Sequence, residues 1–256
     1  MEERNVKILI NGALGHMGRA LQHALESGSW PLTLTGGIDR MAGEYPVPLY
    51  ANAEAAEKAD FDVLIDFSAP QGAMEALSLC LLRCKAIVLA TTGLSLAQQQ
   101  RVKEAAASIP VFYTGNMSLG VNLQLALVKQ AARILGEAFD AEIIETHHNL
   151  KYDAPSGTAK MLIAAVEAGR EKEEPLVYGR QETHKRREKG EIGIHSLRGG
   201  TVPGEHIVRF FGPDEELTIT HRAYSKALFA SGALKAAVYM ADKAPGLYDM
   251  AGLLGL

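Results

Sequence analysis

Through the first half of the chain, short apolar runs rich in β-branched residues alternate with longer stretches of helical spacing. Val6 to Ile10, Leu32 to Ile38, Val63 to Phe67, Ala86 to Ala90 and Val111 to Tyr113 predict strands. Between several of them, Met17, Leu21 and Leu25 fall on one helix face, as do Leu77 and Leu81, and Ser95 to Ser108 is a Gln- and Ala-rich helical stretch. Apolar strands alternating with helices predict a parallel sheet covered on both faces.

The pattern then changes. A helix from Val121 to Leu135 is followed by a strand at Glu142 to Thr146 and a helix from Gly157 to Ala168. Ile192 to Leu197, Ile207 to Phe211 and Leu217 to Arg222 read as three strands with no helix between them, which predicts a mixed or antiparallel sheet in a second, α+β domain. The boundary falls near Asn116 to Gly120, and Phe229 to Ala241 reads as a further helix with an apolar face. No internal repeat or low-complexity tract interrupts this order.

Composition narrows the classes. With 256 residues, 47% hydrophobic and 22% charged, the chain can build a sizeable core and is not globally disordered. A net charge of -4 offers no overall positive field for nucleic acid. The longest uncharged stretch, Ala105 to Val128, contains Pro110, Gly115 and Gly120, so no membrane span is expected. Met1 is followed by Glu2, Glu3 and Arg4, which is no secretory signal and points to the cytoplasm. Cys80 and Cys84, four apart in a helical stretch, read as reduced core residues. The charged stretch from Arg170 to Glu191 reads as a solvated loop; the sharper alternative makes His184, Lys185, Arg186 and Arg187 an anion-facing patch.

Three segments carry chemistry. Gly12-Ala13-Leu14-Gly15-His16-Met17-Gly18 follows the first strand and opens a helix, where free N–H groups and the helix dipole favour a pyrophosphate. Its spacing is G-x-x-G-x-x-G, and a turn that merely packs strand on helix is the alternative. Asp39 closes the next strand about twenty residues on, the place from which a carboxylate accepts hydrogen bonds from an adenosine ribose. Arg40 beside it can pair with a 2′-phosphate, so use of NADH and NADPH alike is expected. Ala90-Thr91-Thr92-Gly93 follows another strand at its carboxyl end, and its hydroxyls suit a ribose or a nicotinamide amide, or a plain turn.

The third segment runs from Glu142 through His147-His148-Asn149-Leu150-Lys151-Tyr152-Asp153-Ala154-Pro155-Ser156-Gly157-Thr158: a strand, a polar loop and a helix start. Two imidazoles that titrate near neutrality lie close to an ammonium, a set able to hold a carboxylate and deliver a proton. The N–H groups of Gly157 and Thr158 offer a second anion seat, so the segment suits a small dicarboxylate. A metal site or a surface network is the alternative, but adjacent histidines on a strand point to opposite faces.

These motifs resemble the dihydrodipicolinate (4-hydroxy-tetrahydrodipicolinate) reductase family over nearly the whole chain. The resemblance rests on the glycine loop, the Thr-Thr-Gly turn, Asn116 to Asn122, and the His-His-x-x-Lys-x-Asp-x-Pro-Ser-Gly-Thr segment. It continues through Gly190 to Gly200, Gly204-Glu205-His206 and Pro245 to Met250. The histidine-lysine motif is specific to that family; the glycine loop is not.

The resemblance implies an α/β fold, a Rossmann-type doubly wound parallel sheet with a second α+β substrate-binding and oligomerisation domain of mixed sheet. Residues 1–118 and 228–256 would form the dinucleotide-binding domain and 119–227 the second, the three late strands building a homotetramer interface. It implies reduction of a small cyclic dicarboxylate by NADH or NADPH, with loss of water, in lysine and diaminopimelate biosynthesis. His147 and Lys151 match the proton donors, and His148, Gly157 and Thr158 the substrate contacts. Gly12, Gly15, His16, Met17 and Gly18 match the pyrophosphate loop, Asp39 the ribose carboxylate and Arg40 its basic neighbour. Ala90, Thr91 and Thr92, with Thr114, Gly115, Asn116 and Met117, match two loops beside the nicotinamide. His16 stands where the family usually has arginine, Met117 for a common phenylalanine, and Thr114-Gly115 for a common Ala-Pro pair. Two other classes stay open at this point: a different nicotinamide enzyme on the same fold, such as an aspartate dehydrogenase, and a non-catalytic nucleotide sensor.

Overall fold

The computed structural model describes residues 5–181, 184 and 186–256. They form two compact units, the first made of the chain up to Leu119 together with Lys226–Leu256, the second of Gly120–Ser225.

Numbered along the chain, the first unit holds strands β1 (Val6–Asn11), β2 (Leu32–Ile38), β3 (Leu49–Tyr50), β4 (Val63–Asp66), β5 (Ala86–Leu89), β6 (Pro110–Tyr113) and β12 (Gly246–Tyr248). They make one sheet in the order β12-β6-β5-β4-β1-β2-β3, with every pair parallel. Its helices are α1 (His16–Ser27), α2 (Pro70–Arg83), α3 (Leu96–Ala105), α6 (Ala227–Met240) and α7 (Met250–Leu254). Successive side chains of a strand point to opposite faces, and here both faces are covered. Ile8, Ile10, Val63, Ile65 and Val88 enter a core shared with Leu21 of α1, Leu234 of α6 and Met250 of α7. Leu9, Leu64, Ile87 and Leu89 enter a second core with Leu77 of α2 and Val102 of α3. Each such fully buried aliphatic side chain contributes about 1.5–3 kcal/mol.

Local signals set the helix ends. Ser95 opens α3 with a reciprocal cap: its hydroxyl accepts from Gln98 N–H at 3.3 Å while the Gln98 side chain accepts from Ser95 N–H at 2.9 Å. Cys80 is buried in the second core, but Cys84 is exposed, against the expectation that both are core residues. It closes α2 in the left-handed conformation (φ 49°), at the helix C-cap rather than within its buried face. The chain leaves β1 for β2 on one side and crosses back to β4 on the other. The strand order therefore reverses at β1, and a doubly wound sheet binds its ligands at the carboxyl ends beside such a reversal.

The second unit has five strands in the order β11-β10-β7-β9-β8, with β7 (Asp140–His147) at the centre. β9 (Ile192–Arg198) lies parallel to it on one side, followed by β8 (Leu176–Tyr178); β10 (Gly204–Phe211) lies antiparallel on the other, followed by β11 (Glu216–Ala223). The three late strands are thus split across β7, and the sheet is mixed. Helices α4 (Leu119–Leu135) and α5 (Gly157–Arg170) cover one face, where Ile143, Ile194, Val208 and Phe210 meet Val128, Leu162 and Val166. Along β7 the buried positions are Ala141, Ile143, Glu145 and His147, so the apolar alternation ends in two polar residues on the core side.

The charged stretch after α5 is not simply solvated. Arg180 donates to Glu142 at 2.8 Å and to Glu191 at 2.7 Å, and Arg187 also pairs with Glu142. Arg170 pairs with Glu174 with both side chains 2% exposed. These largely buried carboxylates require counter-charges, which turns Arg187 inward rather than toward an external anion. Lys185 of the expected patch lies outside the described residues. Among the described residues no helix is long and apolar enough to cross a membrane.

Candidate active site

The glycine loop of the first unit is shaped by its backbone. Gly12 adopts φ +81°, and a Cβ there would come within 2.7 Å of the Phe67 carbonyl oxygen. A Cβ on Gly18, the third residue of α1, would overlap the carbonyl oxygens of Gly12 and Ala13. The loop is fastened to β2 by Gly12 and Ala13 N–H groups donating to Ile38 O at 2.9 and 3.1 Å. His16 is the exposed first residue of α1, and Met17 packs against the sheet core.

Asp39, just past β2, accepts from Leu14 N–H at 2.9 Å and Met41 N–H at 3.0 Å, so its carboxylate is drawn toward the loop. A cavity of about 390 Å³ opens beside Gly12, Gly15, Asp39 and Arg40, roofed by Phe67 to Ala69 after β4. This cradle of close glycines, helix N-terminus and strand-end carboxylate fits a dinucleotide. Asn11, at the end of β1, braces the floor, its amide donating to Asp66 at 2.8 Å and to Gly72 O at 3.1 Å. Of the Ala90-Thr91-Thr92 turn, Ala90 and Thr91 are buried and Thr92 is exposed. In the loop after β6, Thr114 accepts from Asn116 N–H and Asn116 Oδ1 from Ser118 N–H, while Met117 is buried and Gly115 exposed.

In the second unit, His147 ends β7 facing inward, 8% exposed, and Glu145 two residues earlier is fully buried. His147 Nδ1 lies 2.5 Å from Glu145 Oε2. Arg198, at the end of β9, grips the same carboxylate with both Nη atoms at 2.9 and 2.8 Å. Burial works against its charge, but Arg198, Ser196 and His147 outweigh it and hold Glu145 down at about 2. Burial lowers the His147 pKa from the ordinary histidine value, with Glu145 opposing and Lys151 and Arg198 adding to the fall.

The loop after β7 turns back at once. His148, half-buried, donates its N–H to Val202 O at 2.8 Å, and Lys151 N–H donates to His148 O at 3.1 Å. Lys151 Nζ is held by Asp153 at 2.6 Å. Ser156 caps α5 by accepting from Ala159 N–H at 3.1 Å, and its hydroxyl is also hydrogen-bonded to His206 Nε2 at 2.9 Å. Gly157 and Thr158 form the first turn of α5, with Gly157 exposed. Burial, with His147 beside it, drops His206 to about 4, so that imidazole is neutral at physiological pH.

The structure thus places His147, Lys151 and the start of α5 in one neighbourhood of the second unit. It also adds Glu145, Arg198 and His206, whose parts in the cluster the sequence reading did not assign. A signal existed for Glu145, since two residues apart on a strand means the same face. Arg198 and His206 arrive from strands far along the chain.

A doubly wound parallel sheet with a glycine cradle, joined to a mixed-sheet unit bearing a histidine-lysine cluster, defines a two-unit, nicotinamide-nucleotide oxidoreductase. Residues 6–117 match the family described as dihydrodipicolinate reductase, N-terminus, and residues 120–254 its C-terminus. The chain belongs to the dihydrodipicolinate reductase family. It is 45% identical to the 4-hydroxy-tetrahydrodipicolinate reductase of Zymomonas mobilis, over 100% of this chain and 99% of the relative. It is 43% identical to that of Syntrophotalea carbinolica, over 98% and 99%. A solved structure described as dipicolinate-bound dihydrodipicolinate reductase from Paenisporosarcina sp. TG-14 shares the fold with a TM-score of 0.79 at 24% identity, over 95% of this chain and 97% of that one.

Proposed function

We infer that the protein reduces 4-hydroxy-tetrahydrodipicolinate to tetrahydrodipicolinate with NADH or NADPH, in lysine and diaminopimelate biosynthesis. The observation that carries this reading is the histidine-lysine cluster at the start of α5, in a chain whose full-length relatives bear that name. Substrate, reduced nucleotide and one proton give product, oxidised nucleotide and water. When bound, the reduced nicotinamide supplies the hydride.

The chain's own residues do the rest. Gly12, Gly15, His16, Met17 and Gly18 hold the pyrophosphate, Asp39 and Arg40 the adenosine ribose and any 2′-phosphate. The turns at Ala90 to Thr92 and Thr114 to Met117 border the nicotinamide. Gly157 and Thr158 present N–H groups at the positive end of α5 to one substrate carboxylate, and His148 is a further substrate contact. His147, with its Nδ1 committed to Glu145, offers Nε2 to the substrate as an acid. Lys151, whose ammonium is held by Asp153 at 2.6 Å, is the second proton donor.

Cytoplasmic action as a homotetramer completes the reading, supported by the open face of the mixed sheet, where Ile144, Leu197 and Ile207 lie uncovered by either helix of the unit. Sedimentation velocity tests the assembly.

Loss of nicotinamide absorbance with freshly generated substrate, in parallel with NADH and NADPH, tests the reaction. Rapid oxidation is the expected result. His147→Gln should lower turnover by about 10²–10⁴-fold and leave nucleotide affinity unchanged. Tight nucleotide binding without oxidation, or full turnover in His147→Gln, would overturn the assignment.

A further inference from the structure

Glu145 makes more contacts than a residue that only balances a neighbouring charge. Its carboxylate is fully buried and accepts from His147 at 2.5 Å, from Arg198 at 2.9 and 2.8 Å, and from Ser156 N–H at 3.2 Å, with Ser196 a further partner. An ionised carboxylate only accepts, which puts the ring hydrogen of neutral His147 on Nδ1 and leaves Nε2 open. Gly204 borders that nitrogen, where an ideal Cβ would lie 3.1 Å from Nε2. Arg198 also donates to the Asp153 carbonyl at 2.7 Å, so the same guanidinium ties down the Lys151 loop.

Four pieces of chain meet on this one ion pair: the ends of β7 and β9, the loop bearing Lys151, and the cap of α5. We propose that the Glu145–Arg198 pair is a positioning device that fixes the tautomer of His147 and locks its open nitrogen at a set distance from the anion seat of α5. This rests on the reading of His147 as the acid. Glu145 and Arg198 act through His147 and Ser156 and touch no substrate themselves.

The charged and titratable groups around His147 are Glu145 on its own strand, Arg198 from β9, Lys151 and Asp153 from the loop, and His206 from β10, with ring centres 5.1 Å apart. His221 of β11 stands opposite His206. Of these, Glu145 is the carboxylate bonded to the imidazole, and it favours the imidazolium. Replacing it with an amide leaves Arg198 and Lys151 facing His147, so the acid form should survive only to lower pH.

The test compares the wild-type chain with Glu145→Gln, Glu145→Asp and His147→Gln, in turnover against pH and in direct NADH titration. Glu145→Gln should lower kcat at least about tenfold. Nucleotide affinity should stay unchanged, and the alkaline limb of the pH profile should move down by about one unit or more. If Glu145→Gln does not fold, Glu145→Asp carries the test: the charge is kept, its reach is shortened, and the limb should move the same way by less. A uniform loss of rate with an unmoved limb overturns the positioning role and leaves the His147 reading intact. Wild-type turnover in His147→Gln overturns both.

Discussion

The glycine loop of the first unit and the histidine cluster of the second both sit where strands end, yet one is made of backbone and the other of side chains. The loop presents peptide N–H groups, and its requirement is for absent side chains at Gly12 and Gly18. The cluster draws Glu145 and His147 from β7, Arg198 from β9, His206 from β10 and Ser156 from the cap of α5. A backbone site is specified by a few adjacent residues and fails by obstruction. A side-chain site is specified across strands and fails by loss of a partner, so variants in the two should separate binding from chemistry.

The largest effect expected from that contrast is at Gly18. Gly18→Ala places a methyl against two carbonyl oxygens and forces α1 off the loop, and nucleotide affinity should fall by about 10²-fold. Calorimetric titration with NADH checks it. An unchanged affinity would mean that the loop does not seat the pyrophosphate.

Next is the acid sensitivity of the second unit. His206 has a folded pKa of about 4, below the ordinary 6.5, so between those values the unfolded chain binds more protons and stability falls as the pH drops. The contribution, intact above about pH 6.5, should decline by about 3 kcal/mol on reaching pH 4. Glu145 follows in the lower window, between 4.5 and about 2. Denaturant unfolding at a series of pH values reads this directly, and His206→Gln should flatten the upper window. If the slope there is the same with and without His206, the burial of that imidazole has been misjudged.

The smallest effect concerns cofactor choice. Asp39→Asn removes a charge that repels a 2′-phosphate while Arg40 stays in place, so the NADPH-to-NADH ratio of kcat/KM should rise by about three- to tenfold. No change in the ratio would move the determinant to His16 or beyond.

What was legible in the sequence follows the same division. The long strands of the first unit, β1 and β2, announced themselves by runs rich in Val, Ile, Leu and Thr, and the glycine loop by contiguous residues. The short edge strands β3, β8 and β12, two or three residues each, carry too little periodicity to stand out and depend on a neighbour already in place. In the second unit His147 and Lys151 were legible because they share one segment. Arg198 and His206 became partners of Glu145 and Ser156 only when β9 and β10 docked on opposite sides of β7, and no local pattern encodes that arrangement. Arg180 and Arg187 looked like solvent-facing charge because the carboxylates that claim them, Glu142 and Glu191, belong partly to a distant strand.

The segment Lys226–Leu256 supplies α6, whose Ala233, Leu234 and Ala237 lie in the core of the first sheet, and β12, its edge strand. During synthesis, then, residues 1–119 leave the ribosome with α1 but without α6, its partner on that side of the sheet. The second unit, contiguous in the chain, has all its strands and helices in hand sooner. The nucleotide-binding unit, begun before the second, is therefore the later of the two able to close, and a message cut short after residue 225 would leave the apolar face that α6 covers exposed for chaperones and proteases to find.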